Sequence, residues 1–270
     1  MPSELSVLSW NMLFSNKNQE DAFAFIESSS ADVICLQEVP IEFLERLRTL
    51  PFHLTHAIDT RWETDPLHPE RGDTTTLLVI LSRYPYVSSD RISLPPLAKQ
   101  VLIRTRLFHL GLRIFGIWKG GRVYEREAQF ADINVGTQVI RVINTHLPLR
   151  TPEVRRKEFE VLRSHHSGEA IDFMCGDFNI LEHPYIKVWN YFQGGSLGSA
   201  MPWSNERGTM EVLFKDAGLK NPLRGQCTHP ISRSQLDHIL VPPAMEVISA
   251  VVNKNAHGSD HRPIEVSVRL

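Results

Sequence analysis

A short apolar stretch in the second half of the chain ends at a glycine and delivers two polar side chains. It runs from Ile171 to Cys175 and is followed by Gly176, Asp177, Phe178 and Asn179. Residues i and i+2 of an extended chain point to the same side, so Asp177 and Asn179 are expected to face one space. The carboxylate suits a base or a metal ligand, and the amide both donates and accepts hydrogen bonds. An aspartate after a strand is also a common turn former, so this stretch alone leaves both interpretations open.

Other predicted strands also end in polar side chains. Because ligands of open α/β sheets bind outside the carboxyl ends of the strands, these side chains are candidates for one shared site. Carboxylates and amides with two histidines suit a hard, oxygen-preferring cation such as Mg²⁺ or Mn²⁺, and they are a poor set for zinc. The candidates are Asn11, Glu38, His146, Asp177 with Asn179, Asp237, and Asp260 with His261.

The elements that must position these side chains are short apolar strands that alternate with amphipathic helices. Near the N-terminus the pattern predicts strands over residues 5–10 and 33–36, a helix between them that begins near Asn16 or Asn18, and a second helix after Pro40. It predicts further strands over residues 76–81, 138–145, 171–175, 236–241 and 264–268, and helices over residues 151–166 and 210–217.

Three regions depart from this alternation. Residues 52–73 are rich in proline, histidine, threonine and charge, which predicts a long surface loop. Residues 99–127 carry seven lysines or arginines and two glutamates, interleaved with four aromatic residues. Alternation from Val101 to Leu107 favours a pair of strands with one buried face, and the alternative is a basic, aromatic surface for a polyanion such as single-stranded nucleic acid. Residues 183–208 form a long insertion rich in glycine, serine and aromatic residues.

Length and composition favour one domain covering residues 1–270, since single α/β domains of about 250 residues are common. With 42% hydrophobic residues the chain can fill a core. Its net charge of −2 gives no global attraction to nucleic acid or to an anionic membrane. Any polyanion would therefore have to be held locally.

The three cysteines, Cys35, Cys175 and Cys227, are widely separated and odd in number. Two of them lie in apolar, strand-like runs where a small buried thiol is the ordinary explanation, which argues against a cysteine zinc site and for a reducing compartment. The N-terminus shows no basic segment with a hydrophobic run, and no apolar stretch approaches the roughly 18 residues of a membrane span. The sequence therefore predicts a cytoplasmic protein without a transmembrane segment, and it indicates no protein partner.

Six short motifs resemble, in their order and approximate spacing, those of the endonuclease/exonuclease/phosphatase family. The resemblance covers residues 5–269 and implies an α/β (α+β) fold, a four-layer sandwich of two mixed β-sheets flanked by helices, as in deoxyribonuclease I. It also implies an active site at one edge of the sandwich. The motifs are Ser9-Trp10-Asn11, Leu36-Gln37-Glu38-Val39, Asn144-Thr145-His146-Leu147, Gly176-Asp177-Phe178-Asn179, Leu236-Asp237-His238-Ile239-Leu240 and Ser259-Asp260-His261.

The resemblance implies a metal on one side of this site. Glu38 would be the principal ligand of Mg²⁺ or Mn²⁺, with Asn11 and Asp260 completing the metal side directly or through water. Asp177 would position or deprotonate the attacking water, and Asn179 would hold a phosphate oxygen. Hydrolysis of a phosphate ester needs such residues, because phosphoryl charge must be neutralised and a water must be positioned.

The same resemblance places two histidines on the phosphate. His261 would contact the phosphate and stabilise the transition state, with Asp237 behind it, since a carboxylate raises the basicity of an imidazole and selects its tautomer. His146 would lie on the other side of the phosphate and help to protonate the leaving group. Arg126 and Arg155 match common family positions, and structural ion pairing is expected for both.

Most of the remaining histidines carry no motif, and surface or structural roles are expected for them. His238 follows Asp237 in a predicted strand, so alternation directs its side chain to the opposite face of the sheet. The histidines without a motif include His53, His56, His68, His165, His166, His183, His229 and His257.

Departures from the patterns of particular subfamilies narrow the range of possible substrates only by excluding some of them. Phe178 stands where tyrosyl-DNA phosphodiesterases usually have threonine, His146 stands where apurinic endonucleases tend to have an aromatic residue, and the residues before Asp237 lack the usual run of inositol polyphosphate 5-phosphatases. The first choice is a phosphodiester in nucleic acid, because the basic stretch and the aromatic insertion offer phosphate contacts and stacking. A phospholipid or small phosphoester is the alternative. An inactive binding protein with the same fold is the third possibility.

Overall fold

Two mixed β-sheets lie face to face in the computed structural model, which describes residues 4–63, 74–97, 102–114, 123–165 and 171–270. In each sheet one pair of neighbouring strands is parallel and the others are antiparallel. The larger sheet contains, in spatial order, β11 (Val247–Val252), β12 (Ile264–Arg269), β1 (Glu4–Asn11), β2 (Val33–Pro40), β4 (Thr74–Ser82), β3 (His53–Trp62) and β6 (Val123–Glu125). The smaller sheet contains β10 (Asp237–Leu240), β9 (Ile171–Asp177), β8 (Gln138–His146), β7 (Glu127–Val135) and β5 (Tyr86–Ser93).

Helices cover the outer face of each sheet. They are α1 (Gln19–Ser28), α2 (Ile41–Leu47), α3 (Ile103–Ile114), α4 (Pro152–Arg163), α5 (Pro184–Phe192), α6 (Leu197–Ala200) and α7 (Glu206–Asp216). On the larger sheet, Ile26 of α1 and Phe43 of α2 pack with Trp10 of β1. On the smaller sheet, Phe159 of α4 and Phe214 of α7 share a second core cluster. The other three helices, α3, α5 and α6, pack on one another through α5.

Alternation along the strands fills both sides of each sheet. In β1, Leu5 and Val7 point into the core between the sheets, and Leu8 and Trp10 point towards the helices. Both faces of the strand are therefore buried, as is typical of sheets covered on both sides. The layers run helix, sheet, sheet, helix, and this confirms the predicted four-layer sandwich.

Local sequence explains several helix boundaries. Pro152 and Pro184 occupy the first turns of α4 and α5, where a missing N–H costs nothing and a fixed φ favours the helix. Asn205 precedes α7, and its Oδ1 accepts a hydrogen bond from the Gly208 backbone N–H at 2.8 Å. The insertion predicted over residues 183–208 thus holds α5 and α6 and the start of α7.

The prediction of a surface loop over residues 52–73 is wrong for its first half. His53–Trp62 is β3, an interior strand of the larger sheet between β4 and β6. Residues 64–73 lie outside the described part of the chain. Polar residues hide this strand in the sequence, because Asp59 and Thr60 are buried where an ordinary strand would place apolar side chains.

The prediction of a pair of strands, made from the alternation over residues 101–107, is also wrong. Val101 lies outside the described residues, and Ile103–Ile114 is helix α3. Ile103, Leu107 and Leu110 occupy positions i, i+4 and i+7 and are exposed by 74%, 62% and 44%. A short run of apolar residues can fit both the strand period of about 2 and the helical period of about 3.6, and here it forms a helix.

Two further sequence expectations concern cysteines and membranes. Cys35 and Cys175 are buried between the sheets and Cys227 is partly exposed, and all three are free thiols. Of the helices in the described ranges, none combines the length and the apolar character that crossing a bilayer requires.

Candidate active site

A buried polar bridge joins the two sheets beneath the site. The Gln37 side-chain amide donates to Asn144 Oδ1 at 2.8 Å, and Asn144 Nδ2 donates to the carbonyl oxygens of Leu36 and Val79 at 3.0 and 3.1 Å. Both side chains are fully buried. Gln37 precedes Glu38 in β2, and Asn144 lies two residues before His146 in β8. The bridge therefore fixes the end of one sheet against the end of the other.

Gly176 lets β9 approach β8 where Asp177 emerges. Its φ is +137°, and a Cβ atom at this position would lie 1.8 Å from the Thr145 carbonyl oxygen. Only glycine fits both the dihedral and the space. Asp177 follows as the last residue of β9, paired in register with His146 of β8 and Asp237 of β10.

Hydrogen bonds fix the Asp177 carboxylate from two sides. Oδ1 accepts from the Asn179 backbone N–H at 2.8 Å, and Oδ2 accepts from Asn11 Nδ2 at 3.1 Å. Asn11 Nδ2 also donates to Glu38 Oε1 at 3.1 Å, while Asn11 Oδ1 accepts from the Leu13 backbone N–H at 3.0 Å. One amide thus links the carboxylate of β9 to the carboxylate of β2, across the two sheets.

Glu38 is aimed at the cavity by an unusual backbone conformation. Its φ is +54°, in the left-handed region, and the β2–β4 register shifts between Leu36 and Val39. A non-glycine residue held there costs about 1–3 kcal/mol, and such positions cluster at functional sites. Burial raises the pKa of Glu38, the attraction of His146 opposes this rise, and repulsion from Asp59 adds to it. A cation near Glu38 would offset the effects of burial and of Asp59 and would favour the ionised carboxylate.

His146 lies against a carboxylate that the sequence patterns missed. Nδ1 of His146 is 3.0 Å from both oxygens of Asp59, which is fully buried in β3. Burial lowers the pKa of His146, but the attraction of Asp59, followed by that of Asp177 and Glu38, outweighs burial and raises it to about 9. Burial raises the pKa of Asp59, but His146 outweighs burial and the pKa lies below its usual value. Asp59 was missed because its strand resembled a loop.

His261 has the same kind of partner on the other side. Nδ1 of His261 is 2.9 Å from Asp237 Oδ2, and the Trp10 indole N–H donates to the His261 carbonyl at 3.1 Å. Burial lowers the pKa of His261, but the attraction of Asp237, followed by Asp177, outweighs burial and raises it to about 10. Asp237 lies behind His261, as the family resemblance implied.

The two histidines flank Asp177. Nε2 of His146 lies 3.5 Å from Asp177 Oδ2, and Nε2 of His261 lies 3.7 Å from the same oxygen. Asn179, with φ +51°, donates from Nδ2 to the Leu147 carbonyl at 2.9 Å and lies 3.2 Å from His146 Nε2. The structure therefore brings Asn11, Glu38, His146, Asp177, Asn179, Asp237 and His261 into one connected group.

Asp260 extends the group and adds a histidine that no sequence motif marked. Ligand atoms of His229, Asp260 and His261 lie within 4.8 Å of one another. Nδ1 of His229 accepts from the Ser232 backbone N–H at 3.0 Å, so the neutral ring carries its proton on Nε2, which lies 3.5 Å from Asp260 Oδ2. In this tautomer His229 donates towards Asp260 and offers no lone pair to a metal.

Three other residues match their sequence-based expectations, since His238 lies away from the site and Arg126 and Arg155 form ion pairs. His238 is buried away from the site, and its Nε2 lies 2.5 Å from Arg207 Nη1. Burial, and then the positive charge of Arg207, lower the pKa of His238 well below its usual value. Arg126 pairs with Glu158 at 2.5 Å and also donates to the His146 carbonyl. Arg155 is fully buried and pairs with Glu206 of α7 at 2.7 Å.

A cavity of about 610 Å³ opens over the group. Glu38, His146, Asp177, Asn179, Asp260 and His261 line its polar end. Beyond them the wall is largely apolar and partly aromatic, with Arg106, Arg126 and Arg150 among its polar members, and it includes residues of β3, α5 and the loop after β8. The apolar and aromatic residues are Leu13, Phe14, Trp62, Leu97, Val123, Pro148, Leu149, Leu181, Ile186, Trp189 and Leu236.

Three solved structures illustrate what the fold is similar to. An endonuclease/exonuclease/phosphatase from Beutenbergia cavernae DSM 12333 matches 100% of this chain and 72% of its own, with 18% identity and a TM-score of 0.68. The human Nocturnin catalytic domain with bound sulfate anion matches 99% of this chain and 95% of its own, with 18% identity and a TM-score of 0.60. ANGEL2, a 2′,3′-cyclic phosphatase in complex with adenosine-2′,3′-vanadate, matches 99% of this chain and 96% of its own, with 15% identity and a TM-score of 0.58.

Among curated protein sequences, none matches this chain. The family model described as "Endonuclease/Exonuclease/phosphatase family" matches residues 8–261, a range that contains every site residue predicted from the sequence. The match covers most of the chain, and the two-sheet fold agrees with it. The chain therefore belongs to the endonuclease/exonuclease/phosphatase family, whose members are typically phosphoester hydrolases.

Proposed function

We propose that this protein is a divalent-metal-dependent hydrolase of phosphate esters that acts on phosphodiesters of nucleotides or nucleic acid. The observation that carries the proposal is the position of Asp177 between His146 and His261, with Nε2 atoms 3.5 and 3.7 Å from one carboxylate oxygen. A base between two imidazoles that are each backed by a carboxylate suits water attack on an anionic phosphate.

The residues at the site fit a hard cation. Glu38 presents its carboxylate to the cavity, and Asp260 Oδ1 is buried without a hydrogen-bond partner among the described residues. Carboxylate oxygens are the ligands that Mg²⁺ and Mn²⁺ prefer. Glu38 and Asp260 would hold the ion, and Asn11 would act through its hydrogen bond to Glu38, since its Nδ2 faces that carboxylate while its Oδ1 accepts from Leu13. When bound, such an ion neutralises charge on the phosphoryl oxygens.

Asp177 would orient the attacking water. Each of its oxygens already accepts one hydrogen bond, from Asn179 and from Asn11, and a carboxylate oxygen has lone pairs for a further donor. These two bonds fix the carboxylate before substrate binds, which lowers the cost of reaching the transition state.

The two histidines would act on the phosphate itself. With pKa values raised to about 9 for His146 and about 10 for His261, both rings are cations at neutral pH. Each ring holds Nδ1 against its carboxylate partner, Asp59 or Asp237, and so turns Nε2 towards Asp177 and the cavity. His261 would stabilise charge on a phosphoryl oxygen, and His146 would give a proton to the leaving oxygen.

A nucleotide substrate is supported by the cavity wall. Trp62, Trp189 and Phe14 line the cavity, and bases stack on aromatic side chains. The similar fold of ANGEL2, solved in complex with adenosine-2′,3′-vanadate, adds to this support.

A phospholipid substrate is the second candidate, because α3 exposes an apolar face beside the cavity. Ile103, Leu107 and Leu110 are exposed on this helix, whereas Arg106 and His109 of the same helix line the cavity. An amphipathic helix with this arrangement is typical of surfaces that lie on membranes.

Hydrolysis of bis-p-nitrophenyl phosphate by the purified chain tests the proposal. Turnover is expected with Mg²⁺ or Mn²⁺, complete loss with EDTA, and recovery when either metal is restored. Single-stranded DNA, abasic duplex, RNA, sphingomyelin vesicles and phosphoinositides then separate the substrate classes. Cleavage of lipids alone would favour the second candidate, and no metal-dependent turnover on any of them would indicate a binding protein.

A further inference from the structure

Arg150 is a cation in the cavity wall, and no described residue pairs with its guanidinium. It lies in the loop between β8 and α4, four residues after His146, is half-buried, and lines the same cavity as Asp177. Within the described ranges, its guanidinium makes neither a hydrogen bond nor an ion pair. Burying part of a charge without a partner is costly, so such a group in a cavity wall suits a ligand of opposite charge.

The neighbouring charges do not compensate Arg150. Glu158 attracts it, but this carboxylate is already paired with Arg126 at 2.5 Å. Burial lowers the pKa of Arg150, and repulsion from Arg126 lowers it further. Because Arg126 and Glu158 neutralise each other, these neighbours leave the charge of Arg150 at the cavity wall uncompensated, and an anion would neutralise it.

The backbone of Arg150 is held by the side chain of Arg155. Arg155 Nη1 donates to the Arg150 carbonyl at 2.9 Å, and the Pro148 carbonyl lies 3.4 Å from the same atom. Arg155 itself is fully buried and holds Glu206 with two bonds of 2.7 and 2.8 Å. The backbone of this loop is thus held in place before a ligand binds, which limits the positions that the Arg150 side chain can reach.

We propose that Arg150 binds a second phosphate group of the substrate whose first phosphate lies at Asp177. The inference rests on the proposed function, because it assigns the class of substrate to that site: phosphate esters that carry two phosphate groups. A planar guanidinium can hold such a group with two parallel hydrogen bonds. The second phosphate would come from a small nucleoside bisphosphate or from the next nucleotide of a chain.

Binding to adenosine 3′,5′-bisphosphate and adenosine 5′-monophosphate tests this, measured by calorimetry on the full chain with Ca²⁺, with a phosphate assay to show that both ligands stay intact. Wild type is expected to bind the bisphosphate at least tenfold more tightly, the size of effect typical of a hydrogen bond to a charged group. Arg150→Gln should reduce the ratio to about one, and Arg150→Lys should give an intermediate value. Repeating the comparison with ApA and 5′-phosphorylated pApA shows whether the second phosphate can lie on the next nucleotide.

Arg156→Gln is the matched control, because Arg156 is exposed on α4 and outside the cavity wall. It should keep the wild-type ratio. An equal ratio in wild type and Arg150→Gln would overturn the proposal, as would a wild-type ratio near one or no binding of the bisphosphate. Unfolding temperatures identify any variant that fails to fold, and Arg150→Lys then replaces it. Failure of the proposed function is recognised separately, by the wild-type assay with bis-p-nitrophenyl phosphate, which has a single phosphate.

Discussion

Both oxygens of the Asp59 carboxylate lie 3.0 Å from Nδ1 of His146. The same carboxylate accepts a hydrogen bond from the Glu38 backbone N–H at 2.8 Å, where Glu38 has its left-handed φ. Asp59 therefore touches both halves of the site: it orients the imidazole, and it stabilises the backbone that aims the proposed metal ligand.

Replacing Asp59 by asparagine should lower the pKa of His146 from about 9 towards its usual value, since the largest opposing charge would be lost. Titration of the His146 ring by NMR measures this. Asp21→Asn is the matched control, because it removes the partner of another histidine, His257, at 3.0 Å and away from the cavity. A His146 pKa that stays near 9 in Asp59→Asn would contradict the assigned cause.

The same pair should make stability depend on pH in a defined direction. The folded pKa of His146 lies above its unfolded value of about 6.5, so its stabilisation is complete below that pH and is lost as pH rises through about 9. The pKa of Asp59 is lowered, so its contribution is present above the carboxyl's unfolded pKa and is lost as pH falls below it. Urea unfolding of wild type and Asp59→Asn should show a difference that is large near pH 6 and small near pH 10. A difference that grows over this interval would refute the assignment.

Asp177→Asn and His261→Ala should each reduce turnover of bis-p-nitrophenyl phosphate at least about a hundredfold, because general acid–base groups typically contribute 10²–10⁴-fold. Circular dichroism should show an intact fold. Asp90→Asn and His56→Ala are the controls, since both residues lie outside the cavity wall and should leave the rate unchanged. Near-normal turnover in a folded Asp177→Asn protein would remove Asp177 from its proposed role.

Glu38→Gln should weaken metal binding. Mn²⁺ at about 100 times its Kd should stabilise wild type by about 2.7 kcal/mol against unfolding, because it binds the folded state only. This increment should fall or disappear in Glu38→Gln and persist in Glu42→Gln, which alters an exposed carboxylate of α2. Calorimetric unfolding with and without the metal gives the comparison independently of activity. An equal increment in wild type and Glu38→Gln would exclude Glu38 as the principal ligand.

Gly176→Ala should destabilise the fold by at least about 2 kcal/mol, because the new Cβ would lie 1.8 Å from the Thr145 carbonyl oxygen and φ is +137°. Gly111→Ala in α3 is the opposite control, with no atom within 4 Å of the added Cβ. Alanine there should stabilise by about 0.5–1 kcal/mol, as in an ordinary helix. Denaturant midpoints of the two variants, compared with wild type, test the expected loss of stability in Gly176→Ala and the expected gain in Gly111→Ala.

Much of the sandwich could be predicted from the sequence because its central strands are apolar on both faces. The runs around Ile34 and Ile239 are fully buried, and those around Val7 and Val142 are buried apart from Ser6 and Arg141, so periodicity identifies them. The strands that were missed have polar or exposed residues instead. β5 has a single buried side chain, Ile92, and β11 is largely exposed at the sheet's edge.

The candidate site could be predicted where short motifs end a strand, and not where a residue acts through a contact distant in sequence. Asp59 is 87 residues from His146, and nothing in the local pattern of β3 connects them. His229 reaches Asp260 from a turn whose geometry depends on Ser232. α3 was misread because its exposed apolar residues satisfy two periods, and only packing on α5, where Phe108 stacks on Phe192 at 4.7 Å, decides between them.

The bridge between Gln37 and Asn144 has a consequence for engineering. It holds the ends of β2 and β8 together from within the core, and its hydrogen bonds involve no residue of α3, α5 or the loops that wall the cavity. Those surrounding segments can therefore be rebuilt or exchanged to select a different ester while the reacting groups keep their spacing. A library that varies the wall residues and leaves Gln37 and Asn144 untouched should retain hydrolysis of a minimal diester across many altered substrate preferences.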